Sequence, residues 1–262
     1  MILDTGHFRI KIAQTSEELR AAQRLRYKVF VEEMGAKVTD NCHLLKLEYD
    51  DFDQDFEHLI LIDKLNKNPL ENVVGVYRLL LSTSVNESRG FYSSSEYDLS
   101  SLIRTNRKLL ELGRSCIDIE HRGGVALHMM WSGLAQYVIE NNVEVLFGVA
   151  SFHGVDVDQI SHALSYLHYN HLAPKELRPL AIDRNKIEMN VLNRLDVEKI
   201  IALKQLPPLI KAYIRLGGFI GYGASIDKDF NSIDVCLVMD TQNMSDKYKK
   251  IAVVYFDLDD DG

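Results

Sequence analysis

Glu111 and Arg114 stand three residues apart in Leu110-Glu111-Leu112-Gly113-Arg114-Ser115-Cys116, inside a run that otherwise reads as a buried strand. Leu109 and Leu110 lead into it, and Ile117 and Ile119 follow. A carboxylate and a guanidinium are costly to bury unless they pair or do chemistry. Glu111 could accept a proton, and Arg114 could orient it or bind a substrate carboxylate bidentately. Glu120-His121-Arg122-Gly123-Gly124-Val125-Ala126 comes next, a turn feeding a long apolar helix. Strand, Gly-rich turn and helix can present backbone N–H groups to a phosphate, which makes Arg122, Gly123, Gly124 and Val125 candidates.

Other charged residues need partners too. Arg24, Arg26 and Lys28 lie on the first predicted helix, with Phe30 one turn beyond Arg26 on the same face. A solvated basic face is the plain alternative. Glu48-Tyr49-Asp50-Asp51-Phe52-Asp53-Gln54-Asp55 packs five carboxylates into eight residues. This loop could be surface, could hold a cationic substrate, or could anchor arginines; Asp50 and Asp53 are its candidates. Arg78 ends an apolar strand, where an arginine usually has a carboxylate partner such as Glu111 or the Asp50–Asp53 loop. His168 and His171 have no clear third ligand, so no metal site is expected. Ser115 and Cys116 lie outside any G-x-S-x-G setting, which argues against a serine or cysteine hydrolase.

The elements that must position these residues follow from periodicity and caps. Strands are predicted over Phe8–Ala13, His58–Asp63, Val73–Leu81, Leu109–Ile119, Val143–Val149 and Ser232–Met239. A helix capped by Thr15 or Ser16 should run to about Met34. Further helices are expected over Leu99–Ile103, Val125–Glu140, Asp158–Tyr169 and from Pro207-Pro208 to Gly217-Gly218. The last carries Leu209, Ile210, Tyr213, Ile214 and Leu216 beside Lys211 and Arg215; a core helix with a basic edge and an interfacial helix both fit. Signals from Leu172 to Asn193 are weak. The fold class is α/β, a mixed central sheet with helices on both faces. One domain over 1–262 is expected, with a core at about 8–240 and an acidic tail over 241–262.

Composition excludes several classes. With 46% hydrophobic and 26% charged residues the chain is an ordinary globular one. Three distant cysteines, Cys42, Cys116 and Cys236, read as free thiols in a reducing cytoplasm. No signal design or membrane-span run is present, which leaves peripheral contact with the inner membrane face as the membrane option. A net charge of −8 argues against nucleic acid, and an acidic partner would need a local basic patch such as Arg104, Arg107, Lys108 and Arg122.

The pattern Arg26-x-x-x-Phe30, Glu48-Tyr49-Asp50-x-Phe52-Asp53, Arg78 and Glu111-x-x-Arg114 resembles the acyl-homoserine-lactone synthases, which are GNAT-fold acyltransferases. Their tryptophan shortly after the helix phenylalanine is absent; the tryptophan here is Trp131. Over Phe8 to Met239 the chain is more similar to the ornithine lipid synthases, the L-ornithine N-alpha-acyltransferases. Arg26 to Ala36, Phe91 to Asp98, Leu110 to Cys116, Ala150 to Val155 and Leu206 to Gly218 carry that resemblance in order. Phe52 and His153 depart from it, where many members have tryptophan and proline. The resemblance implies transfer of a 3-hydroxyacyl chain from acyl carrier protein to the alpha-amine of ornithine, giving lyso-ornithine lipid. No resident cofactor is implied; the acyl chain arrives on the 4'-phosphopantetheine of acyl carrier protein. Glu111 and Arg114 would be catalytic, Arg26, Phe30, Asp50, Asp53 and Arg78 would bind substrate, and Arg122 to Val125 would meet the pantetheine phosphate. Val125, Met129, Met130 and Trp131 would wall the acyl slot or pack the core. An N-acyl amino acid synthase with another acceptor, or a non-catalytic carrier-protein or lipid binder, are the alternatives.

Overall fold

The computed structural model describes residues 2–182 and 184–243, so from residue 244 onward the acidic tail lies outside the described residues. The chain runs β1 (Ile2–Asp4), β2 (Phe8–Ile12), α1 (Ser16–Arg26), α2 (Asp40–Leu45), β3 (Glu57–Asp63), β4 (Val73–Leu81), β5 (Tyr97–Asp98), α3 (Ser100–Ile103) and β6 (Leu109–Ile117). It continues through α4 (Gly124–Glu140), β7 (Val145–His153), α5 (Ser161–His171), β8 (Leu180–Ala181), β9 (Lys186–Ile187) and α6 (Lys199–Gln205). It closes with α7 (Pro208–Arg215), β10 (Phe219–Ile220), β11 (Ala224–Asp227) and β12 (Ser232–Asp240). These elements divide into two compact units. The first takes the chain up to Ser84 and Leu112–Val143; the second takes Val85–Glu111 and the described residues from Glu144 on. Strand β6 starts in the second unit and finishes in the first.

In the first unit the strand order is β1-β2-β3-β4-β6, antiparallel from β1 to β4. The Thr15 hydroxyl caps α1 by accepting the Glu18 N–H at 3.2 Å, and Glu17 and Glu18 favour the positive end of the helix. Ala21, Ala22 and Leu25 recur at helical spacing and bury against Ile60, Val73 and Val76. The helix does not stay α-helical to Met34: after Arg26 it widens into a π-helical segment, Tyr27–Glu33, and the Met34 N–H reaches back to Val29 O at 3.1 Å. Such widened turns re-aim neighbouring side chains. Helix α4 comes close to β2 at Gly133, where an added Cβ would press on the end of the Ile10 side chain and require it to shift.

In the second unit β6 pairs in parallel with β7 over Leu109, Leu110 and Glu111. Strand β7 then pairs antiparallel with β12 at all nine of its residues, and β11 and β9 continue the order. Every residue of β12 is buried, which explains its near-continuous apolar run. The parallel β6–β7 pair beside antiparallel neighbours makes this sheet mixed, as expected for this α/β class. Helix α7 starts at a proline, as its sequence predicts. Its Ile210 and Tyr213 are buried, so its apolar stripe is core.

Candidate active site

The charged side chains of the first unit converge in one buried cluster. Arg26 Nε donates to Glu48 at 2.5 Å and its Nη1 to Asp53 at 2.6 Å. Arg78 Nη1 donates to Asp50 at 2.6 Å and to Asp53 at 2.9 Å, with the guanidinium 4.5 Å over the Phe56 ring. Arg114 reaches Glu48 through Nε and Asp50 through Nη2, both at 3.1 Å. Gln23 holds the second oxygen of Asp53 at 2.9 Å. Three guanidiniums thus meet three carboxylates, which is what allows this many charges to leave water.

Burial would raise the Glu48 carboxyl, but Arg26 and Arg114 overcome it and hold Glu48 at about 2. Asp53 is likewise pushed up by burial and held at about 2 by Arg26 and Arg78. Burial, with Arg26 close by, pushes His58 down to about 4. Its neutral ring gives Nε2–H to the Asp53 carbonyl at 3.2 Å. The cluster has an inside and an outside. The side chains of Arg26 and Arg78 are 0% exposed and those of Glu48 and Asp53 are 3% and 7%, whereas Arg114 is 11% and Asp50 25% exposed. Solvent therefore reaches the cluster mainly at Arg114 and Asp50.

Arg114 also has an unusual backbone. Its φ of +49° is left-handed, which costs a non-glycine residue about 1–2 kcal/mol. The ion pairs to Glu48 and Asp50 offset that cost.

Glu111, in the second unit, is 1% exposed. Its Oε2 accepts the Tyr92 N–H at 2.9 Å and its Oε1 the Ser93 N–H at 2.6 Å. Those two N–H groups open the short 3-10 turn Tyr92–Ser95, so the carboxylate sits at a positive turn end.

The turn before α4 is built on backbone conformation. Gly123 has φ +89° and ψ 179°, and Gly124 has φ +55°. A Cβ at either would meet no atom within 4 Å, so what the two glycines supply is torsional freedom rather than room. No side chain caps α4. Arg122 Nη2 is tied to Glu33 at 2.5 Å and its Nε to Ile117 O at 3.0 Å, while Val125 is half exposed.

The expected residues divide as follows. Arg26, Asp50, Asp53, Arg78 and Arg114 come together. Phe30 packs against the core cluster around Leu25 and Ile60. Met129 and Met130 are buried, and Met130 Sδ lies against Gly75 of β4, which is core packing. Arg107 is committed to Asp240 through two bonds of 2.7 and 2.8 Å. Glu48 was not singled out from its acidic run, yet it bridges Arg26 and Arg114. Counting three strand or helix arginines against the loop would have asked for three carboxylates. The Tyr92 and Ser93 N–H donors left no trace in residue type.

Residues 25–132 match the Acetyltransferase (GNAT) domain family, a span holding every site candidate from Arg26 to Val125. A Rhodobacter capsulatus protein named L-ornithine N(alpha)-acyltransferase is 48% identical over 244 residues, covering 93% of each chain. This chain belongs to that acyltransferase family. A relative of the same name from Agrobacterium fabrum is 36% identical over 248 residues, 93% of this chain and 84% of its own. Among solved structures, FeeM, an N-acyl amino acid synthase from uncultured soil microbes, superposes with a TM-score of 0.52 at 10% identity, covering 95% of this chain and 97% of its own. The CoA-dependent acyl-homoserine lactone synthase BjaI gives 0.50 at 13% identity over 94% and 90%. These two likenesses establish a shared fold. The family membership makes the protein an acyltransferase.

Proposed function

We propose that the protein moves a 3-hydroxyacyl chain from the phosphopantetheine of acyl carrier protein to the alpha-amine of L-ornithine, the first step towards an ornithine lipid. The observation that carries this reading is the buried ion-pair cluster of the first unit, whose solvent-reached edge is Arg114 and Asp50. The relatives' name supplies the acceptor.

An ammonium cannot attack a thioester, so the ornithine alpha-ammonium first loses a proton to Glu111, directly or through a water. The free amine adds to the thioester carbonyl, and backbone N–H groups of β6 stabilise the oxyanion. Collapse breaks the C–S bond; the nitrogen sheds its second proton to the leaving pantetheine thiolate as the amide forms, and Glu111 passes the first proton on to solvent. Arg114 meets the acceptor's carboxylate, and Asp50, the most exposed acid of the cluster, meets its delta-ammonium. Arg26, Asp53 and Arg78 brace those two groups from within. The glycine turn and the uncapped start of α4 receive the pantetheine phosphate.

Purified protein, 3-hydroxyacyl carrier protein and each amino acid in turn, followed by mass spectrometry, test the reading. Acylated ornithine as the main product is expected. A different acylated amino acid would mean an N-acyl amino acid synthase with another acceptor. No product at all would leave a binding protein. Equal rates with acyl-CoA would remove the carrier protein from the proposal.

A further inference from the structure

The two most exposed large apolar side chains described in the second unit lie five residues apart. Leu195 is 98% exposed and Ile200 72%, with Val191 and Leu203 also exposed nearby in sequence. Leu195 belongs to the 3-10 turn Arg194–Asp196, and Ile200 and Leu203 belong to α6. Helix α6 uses its other side to pack. Ala202 is fully buried, and Gln205 ties α6 to its neighbour by accepting the Ala163 N–H at 2.9 Å and donating to Gln159 O at 2.7 Å. Ile200, Leu203 and Lys204 are three and four residues apart, so they share the remaining face.

Cations flank these apolar groups. Arg194, Lys199 and Lys204 are all exposed, and among the described residues no ion pair engages Lys199 or Lys204. Asp196 and Glu198 lie in the same stretch, and Asn193 holds Asp196 at 3.1 Å. From Val191 to Lys204 three basic residues stand against two acidic ones, in a chain whose net charge is −8. The stretch is therefore weakly cationic on an anionic protein.

We propose that this face docks the protein on an anionic lipid bilayer. Leu195 and Ile200 enter the boundary between headgroups and acyl chains, and Arg194, Lys199 and Lys204 sit at the phosphates. A nearly fully exposed leucine on a turn suits a fluid apolar layer, which needs no matching pocket. The choice of partner rests in one respect on the reading above: a product with one acyl chain leaves water for a bilayer. No helix of the described residues is long and apolar enough to cross a membrane, and a single short amphipathic face gives reversible attachment.

The test is co-sedimentation of the full chain with vesicles of phosphatidylcholine containing roughly one-third phosphatidylglycerol, against phosphatidylcholine alone. The wild type should pellet with the anionic vesicles at low salt and be partly released at high salt. Leu195→Ser with Ile200→Ser should weaken vesicle affinity by about 10-fold or more. Lys199→Gln with Lys204→Gln should weaken it by about as much and flatten the salt response. Turnover with soluble substrates should be unchanged in both variants. Wild-type protein left in the supernatant at low salt overturns the proposal, as does equal pelleting of the apolar variant. A dimer that the apolar variant turns into monomer would assign the face to a second copy. A rise in KM for acyl carrier protein alone would assign it to the carrier. Vesicle binding is read without turnover, so failure of the proposed reaction and failure of docking are separable.

Discussion

At the scale of single residues, Glu111 carries two roles that one substitution must separate. Its carboxylate closes the turn at Tyr92 and Ser93, and it is the proposed base. Glu111→Gln would point an amide N–H at one of those backbone donors, so it removes the base and disturbs the turn together. Loss of the base is expected to lower kcat on the order of 100-fold and to abolish the acidic limb of the pH–rate profile. If the limb persists and only KM and melting temperature change, Glu111 is a turn anchor. The arginines give a second contrast. Arg26→Leu leaves Glu48 and Asp53 buried without their main partner, and should cost about 3–5 kcal/mol in urea unfolding. Arg114→Gln, at the exposed edge, should cost less stability than Arg26→Leu and more activity per kcal/mol lost. Equal ratios of activity loss to stability loss would contradict the division into brace and contact. The sequence made the arginines and the acidic loop legible because charge in an apolar run demands a partner. Which carboxylate serves which arginine was not legible, since the answer depends on how a loop folds against a helix and two strands.

At the scale of elements, the glycine turn gives the sharpest expectation. Gly123 has a backbone conformation that essentially only glycine adopts, so Gly123→Ala should cost about 1–3 kcal/mol although the added methyl touches nothing. If the start of α4 also receives the pantetheine phosphate, KM for the acyl carrier protein should rise while KM for the amino acid stays. Both shifting alike would argue for a general loosening. The strands β3, β4 and β12 and the helix α4 were readable because they are long, apolar and bounded by clear turns. Helix α2 was missed although Thr39 caps it at Cys42; six residues give too few turns for periodicity to show. Helix α6 was missed for the same reason, and it has no capping side chain. Helix α7 carries a more regular apolar stripe, and that stripe is used for packing. Length and regularity marked the core helix, while the exposed one was too short to register.

At the scale of the whole molecule, acid stability follows from the same cluster. His58 is held near 4 in the fold against an ordinary 6.5, so between those values the unfolded chain binds the extra proton. Stability should therefore fall as pH drops from about 6.5 to 4, by on the order of 3 kcal/mol from this residue. Below that, Glu48 and Asp53 contribute the opposite ionisation with the same sign: their stabilisation is present above the usual carboxylate range and is lost as pH falls towards about 2. Urea midpoints across pH should show both stages, and His58→Gln, which keeps a side-chain N–H donor, should flatten the first and spare the second. A first stage unchanged in that variant would place the effect elsewhere. Each unit also carries its own clock. Cys116 in the first unit and Cys236 in the second are buried, and burial lifts Cys116 to about 12 and drives Cys236 upward as well. Neither forms a thiolate at neutral pH while folded, so peroxide and alkylating reagents should pass both by. Modification then reports opening events, counted separately at two peptides by mass. Whichever cysteine is alkylated first in mild denaturant names the unit that yields first, with no label or mutation introduced.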